Sequence, residues 1–214
     1  MAPRRDQAPS ARRALSRERI VAGALELVAA DGLRGLSTRR LGERLGVEAM
    51  SIYHYFPSKQ HLLDALVDHA IASIPLDAPG ANPEDALRRA AHAYRAMARR
   101  FPQLYPLVAL HRLNTPTGVA FIERVLELVR ALVRSDEEAA RQFRAFGYYL
   151  TGAALDETAG YAHGPSAAEP VDEAYIAAHC PRLAAAAPYF KAPEWDKTFA
   201  QGLDALFDGF RSRS

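Results

Sequence analysis

At 214 residues the chain can build one large domain or a small one plus a medium one, and its composition, 49% hydrophobic and 24% charged, is that of an ordinary globular protein. A single cysteine, Cys180, excludes an internal disulfide. The N-terminal arginines have no apolar stretch behind them, and no run nears the roughly 18 apolar residues of a membrane helix, so a cytoplasmic protein with no membrane partner is expected. The net charge of +2 divides unevenly: residues 1–60 hold 11 Lys/Arg against 6 Asp/Glu, or +5, whereas residues 61–214 hold 16 against 19, or −3. A basic head on a mildly acidic body suits polyanion binding, although an arginine-rich helix surface would give the same count.

Residues 1–15 are rich in Pro, Ala and Arg without periodicity, and are expected to form a flexible basic arm. From Ser16, a good N-cap, Ile20, Ala24, Leu27 and Val28 recur on one helical face, and Asp31-Gly32 should end that helix. A short second helix begins at Ser37 or Thr38, carries Leu41 and Leu45, and stops at Gly46. The stretch VEAMSIYHYFPS (47–58) then predicts a third helix, with Ile52 and Phe56 inward and Pro57 breaking it. Ser58 caps a fourth helix that is expected to bury Leu62, Leu63, Leu66, Val67 and Ala70. The Pro/Gly-rich SIPLDAPGANPED (73–85) reads as a connector. Further helices are expected near 84–100, 102–113, 117–134, 136–162, 172–186 and 195–211, with a mobile loop at 163–170. The fold class is all-α: an arm (1–15), a helix-turn-helix head (16–74) and a larger helical body (75–214).

Helix, glycine turn, short helix is the layout in which a recognition helix enters the DNA major groove while its predecessor crosses the backbone. Free amides at Ser37-Thr38 and the Arg39 guanidinium suit a phosphate. Between Val47 and Ser58 there is no positive charge, so attraction must come from Arg39, Lys59 and, where it has a role, the arm with Arg4, Arg5, Arg12 and Arg13.

The segments LSTRRLGERLGV and SIYHYFPSKQHLL, in joint register over about residues 16–72, resemble the DNA-binding domain of the tetracycline-repressor (TetR/AcrR) family of bacterial regulators. The resemblance implies an N-terminal operator-binding domain, a C-terminal ligand-binding domain, a homodimer and a small-molecule effector that alters binding to a palindromic double-stranded DNA operator. Carried over by position, Thr38, Arg39, Ala49, Met50, Ser51, Tyr53, His54, Tyr55 and Lys59 would meet DNA. Ala49-Met50 departs from the tetracycline repressor, which is polar near that position. Neither side chain can make a bidentate bond to a base, so direct readout would rest on Ser51, Tyr53, His54 and Arg39.

In the body, no catalytic or metal-ligating cluster stands out. The seven histidines form no tight motif with Cys180, and adjacent Asp156-Glu157 point different ways. No enzyme activity, cofactor or metal is expected, only an effector whose identity the residues do not reveal. Tyr94, Phe101, Tyr105, His111, Phe121, Phe146 and Tyr149 are candidates for an apolar pocket with a few polar points, fewer than half of them touching a ligand. Gly147, Gly152 and Ala153, with Leu203, Leu206, Phe207 and Phe210, are candidates for a four-helix dimer interface, or for the core of a monomer. The competing class is an all-helical enzyme or ligand carrier whose head does not read DNA.

Overall fold

The structure is a computed structural model, and it describes residues 14–76, 82–159, 164–165 and 167–211. The chain separates into two compact units that meet in sequence between Leu66 and Val67, inside a helix and ahead of the expected boundary at 74/75. Among the described residues the regular structure is helical throughout.

In the first unit α1 runs Arg17–Gly35, α2 Thr38–Leu45 and α3 Ala49–Tyr53; α4, Lys59–Ala72, begins here and continues into the second unit. Serine caps start α1 and α2: the Ser16 hydroxyl accepts from the Arg19 amide at 3.2 Å and the Ser37 hydroxyl from the Arg40 amide at 3.3 Å. The break expected at Gly32 is present as a kink, with φ 67° and ψ 179°, and one further turn follows before Leu36. Ile20, Ala24, Leu41, Ile52, Phe56, Leu62 and Leu66 have at most 1% of their surface exposed and form the core of this unit.

The second unit adds α5 (Pro83–Arg100), α6 (Tyr105–Leu110), α7 (Pro116–Arg130), α8 (Asp136–Thr158), α9 (Glu173–His179), α10 (Pro181–Ala186) and α11 (Trp195–Arg211). The helices expected over 102–113 and 117–134 are shorter than the apolar pattern implied. The single helix expected over 172–186 is two. Pro181 has no N–H to continue the ladder of α9, so Cys180 leaves the helical region and α10 restarts on the proline. The loop expected at 163–170 lies partly outside the described residues, as does the arm up to residue 13.

The core of this unit is contributed by α5, α7, α8 and α11: Leu87, Val129, Phe146, Phe199, Leu203 and Phe207 are all nearly or fully buried. Phe207 meets both Phe146 and Phe210 edge-on, at 6.1 and 5.2 Å between ring centres. This corrects part of the expected dimer surface. Leu203, Phe207 and Phe210 are 0–2% exposed within one chain and so have no surface to offer a partner, while Leu206 is only partly buried. Their stripe follows the period that any core-facing helix needs, and periodicity alone does not say which core it serves.

Candidate nucleic-acid interface and ligand cavity

The turn between α2 and α3 rests on two glycines. Gly46 takes the left-handed conformation (φ 68°, ψ 36°) that closes α2, its amide donating to Glu43 O at 3.3 Å while the Val47 amide donates to Gly42 O at 3.0 Å. A Cβ on Gly42 would stand 2.7 Å from Val47 O, so only glycine permits the backbone of the turn to approach α2 this closely. The turn sets α3 against α2 with Ile52 fully buried, which leaves the opposite face of α3 outward.

That outward face carries the expected contact residues. Met50 is 65% exposed, Tyr53 38%, and His54 is exposed, while Ala49 and Ser51 are half-buried at its margin. The Tyr53 hydroxyl lies 3.3 Å from the Thr38 hydroxyl, joining the start of α2 to the end of α3. Tyr55 differs from the rest: its hydroxyl donates to Leu15 O at 2.7 Å, which turns the ring toward the start of α1 and away from the exposed face.

The basic residues of the head divide into two kinds. Arg19 donates to Leu45 O at the end of α2, Arg40 to Gly35 O and Asp31, and Arg44 to Glu26; these tie helices together. The Lys59 ammonium donates to Leu36 O at 2.9 Å and so closes the end of α1, which leaves two of its three N–H donors for another acceptor. Arg39 is the other kind. Its side chain is 84% exposed and, among the described residues, pairs with Glu43 on its own helix, at 3.7 Å. A solvent-exposed pair at that separation contributes well under about 1 kcal/mol, so Arg39 can leave it for a phosphate.

In the second unit a cavity of about 710 Å³ lies among α5, α6, α7 and α8. Tyr94, His111, Phe121 and Phe146 line it, as four of the seven expected pocket residues. The other three are held elsewhere. Tyr105 is fully buried beside the cavity, its hydroxyl donating to the Tyr94 hydroxyl at 3.0 Å; burial raises its pKa far above the ordinary tyrosine value, so it stays a neutral donor. Phe101 sits edge-on to His69, 6.1 Å between centres. Tyr149 faces α11, stacked on Phe199 at 5.5 Å with its hydroxyl donating to Phe199 O at 2.8 Å. Tyr149 and Tyr94 look alike in sequence; their positions around neighbouring helices separate them. Residues that the sequence pattern does not single out also line the cavity, among them Arg112, Asn114, Phe143, Arg144 and Tyr148, together with Gly147, a residue expected at the dimer surface. For the α8 residues the available signal was one arginine, Arg144, set among four aromatics over 143–149.

Behind the cavity wall a charged network ties α5, α8 and α11. Arg95, 5% exposed, forks onto Glu157, 7% exposed, with three N–H to O distances of 2.7–3.0 Å, and it also reaches Asp196 at 2.8 Å. Its guanidinium lies 4.5 Å from the centre of the Phe199 ring. Burial alone would lower the Arg95 pKa, but the carboxylates of Glu157 and Asp196 outweigh it and raise the value. Among the described residues no group of His, Cys, Asp and Glu could hold a metal ion, and no helix is long and apolar enough to cross a membrane.

Comparison with known proteins aligns with both units. Residues 20–66 match the sequence model of the bacterial regulatory proteins of the tetR family, and residues 77–213 match that of the tetracyclin repressor-like C-terminal domain. The chain is 32% identical to the HTH-type transcriptional repressor DrrR1 of Streptomyces coeruleorubidus over 67% of its own length, a match that spans only 54% of that relative. It is 30% identical to the class A tetracycline repressor protein of Escherichia coli, covering 91% of this chain and 89% of the other. Among solved structures it resembles the Streptomyces coelicolor protein ActR in complex with actinorhodin, with 26% identity, a TM-score of 0.72, and 94% and 98% of the two chains covered.

Proposed function

Because the chain belongs to the tetR family of bacterial regulatory proteins, we propose that it is a DNA-binding transcriptional repressor whose hold on a palindromic operator is released by a small molecule bound in the second unit. The observation that carries this reading is the pairing of two features in one chain: an outward α3 face bearing Met50, Ser51, Tyr53 and His54, and an aromatic cavity of about 710 Å³. α3 bears no cation, so it recognises sequence while Arg39, Lys59 and the amides opening α2 attract the phosphates. The Tyr53–Thr38 pair holds the two helices in register for that division of work. Tyr55, engaged with Leu15 O, supports the position of α1 and is withdrawn from the proposed contact set.

Effector release follows from a population shift: a ligand that binds one conformation of the body better than another shifts the protein toward it, by as much as its affinity differs between the two. Relatives named for tetracycline, and a structural neighbour holding actinorhodin, support a polycyclic effector. The body is proposed to dimerise. The segment from Val171 to Phe190 supports this: no residue of α9, α10 or the 3-10 turn at Ala187–Phe190 is buried, and Val171, Tyr175, Leu183, Tyr189 and Phe190 are 43–66% exposed. Exposed Gly152 and Tyr148 extend the face α8 could present, with half-buried Ala153 beside them.

Footprinting on the DNA flanking the chain's own gene tests the reading. Protection of a palindromic site, with affinity falling steeply with salt, is expected. Arg39→Ala should weaken binding at least about tenfold on all sequences and reduce the salt slope by about 1.8, one phosphate contact being lost in each half-site. Tyr53→Ala should weaken binding and relax sequence preference. Absence of sequence-specific protection would sink the proposal, and retained ligand binding in Arg39→Ala/Tyr53→Ala would assign the loss to the head alone.

A further inference from the structure

The cavity differs in charge from the unit around it. Most arginines elsewhere in that unit meet carboxylates: Arg88 pairs with Glu84 and Asp204, Arg95 and Arg99 with Glu157 and Asp196, Arg130 with Asp136, and Arg141 with Glu137, whereas Arg100 lies over the Phe101 ring. The two arginines that line the cavity, Arg112 and Arg144, pair with no carboxylate of the described residues. Nor does any Asp or Glu stand among the described residues that line it. The wall itself is aromatic and aliphatic, with Tyr94, Phe121, Phe143 and Phe146 supplying rings.

Arg144 is held in place while remaining able to bind. Its Nε donates to the Tyr148 hydroxyl at 2.9 Å and its guanidinium lies 5.2 Å from the centre of that ring, which leaves the terminal nitrogens for a further acceptor. Both arginines are exposed, so they stand at the open rim and the rings lie deeper. A guanidinium answers a planar anion with two parallel N–H bonds, and like charges at a site with no carboxylate repel a cation.

From this arrangement we infer that the cavity selects an anionic aromatic molecule, its rings among Tyr94, Phe121, Phe143 and Phe146 and its carboxylate, phenolate or sulfonate met by Arg112 and Arg144. This rests on the reading of the cavity as the effector site. Selection works in two parts. The rings bind any flat apolar body of suitable size, and the rim discriminates by charge. A lipophilic cation of the same shape would fill the cavity yet meet two uncompensated positive charges.

Calorimetric titration of the full-length protein with anthracenecarboxylate, anthracenemethanol and (aminomethyl)anthracene tests the inference, since the three share one tricyclic body and differ in charge. The carboxylate is expected to bind at least about tenfold more tightly than the alcohol, the strength of one charge-assisted hydrogen bond, with the amine weakest. Arg112→Gln/Arg144→Gln should remove the preference, bringing the carboxylate down to the affinity of the alcohol in the same variant. Added salt should narrow the gap in the parent protein. A carboxylate that binds no better than the alcohol, including binding by neither, overturns the inference, and so does a preference that survives in the double variant. Footprinting of the ligand-free protein separates the two readings. Operator protection without a charge preference removes only the inference, whereas a charge preference without protection removes the regulator and leaves the anion site.

Discussion

Arg95 and Glu157 show how one buried contact can hold three helices. Both side chains are almost sealed from water, and removing Arg95 leaves Glu157 only the half-exposed Arg99, a loss approaching the roughly 3–5 kcal/mol of a broken buried pair. Arg95→Met alone should therefore lower the denaturation midpoint sharply, whereas Arg95→Met/Glu157→Leu should recover most of the stability; chemical denaturation with both variants checks this. Asp196 belongs to the same network from its exposed side. Hydrogen bonds from Arg95, reinforced by its charge and that of Arg99, hold the Asp196 carboxyl below its ordinary value of 3.8. A depressed carboxylate contributes stability that is fully present above that value and lost as pH falls through the lower folded one. The stability difference between the parent and Asp196→Asn should hence be constant near neutrality and shrink in acid below pH 3.8. At this scale the sequence showed the residues but not the pairing, because Arg95 and Glu157 are 62 positions apart and nothing local links them.

At the scale of the element, the α2–α3 turn is the place where sequence and structure agree most closely. Gly46 sits at positive φ with open space around its α-carbon, so the cost of a side chain there is conformational and not steric. Gly46→Ala should cost about 1–2 kcal/mol of head stability. It should also lower DNA affinity, by tilting α3, while ligand titration of the body is unchanged; hydrogen exchange of the head amides together with a gel shift would check both. Local signals sufficed here because caps, glycine turns and α3 all fall within about 40 residues, the range over which hydrogen bonding is decided by near neighbours. They failed at α9 and α10, where an apolar pattern continued across Pro181 but the backbone could not.

The molecule as a whole combines a DNA-reading unit with a ligand-binding one, and the proposed function sets two copies on one palindromic operator. Analytical ultracentrifugation should give twice the 23.5 kDa chain mass, with Tyr189→Asp and Phe190→Asp shifting the equilibrium toward a single chain and weakening operator binding more than ligand binding. If those variants stay dimeric, the exposed segment from Val171 to Phe190 serves something else. The sequence alone was enough to determine the all-helical class, the helix-turn-helix head, the outward face of α3 and membership of the tetR family, because each rests on short-range periodicity and turn chemistry. Only the tertiary structure decided which equally apolar residues do which work. Tyr94 faces the cavity and Tyr149 faces α11; Phe207 is core and Tyr189 is surface; Arg144 is left to bind and Arg95 is neutralised. Helical spacing says that a residue lies on a buried stripe, but which neighbour covers that stripe depends on contacts between segments far apart in the chain.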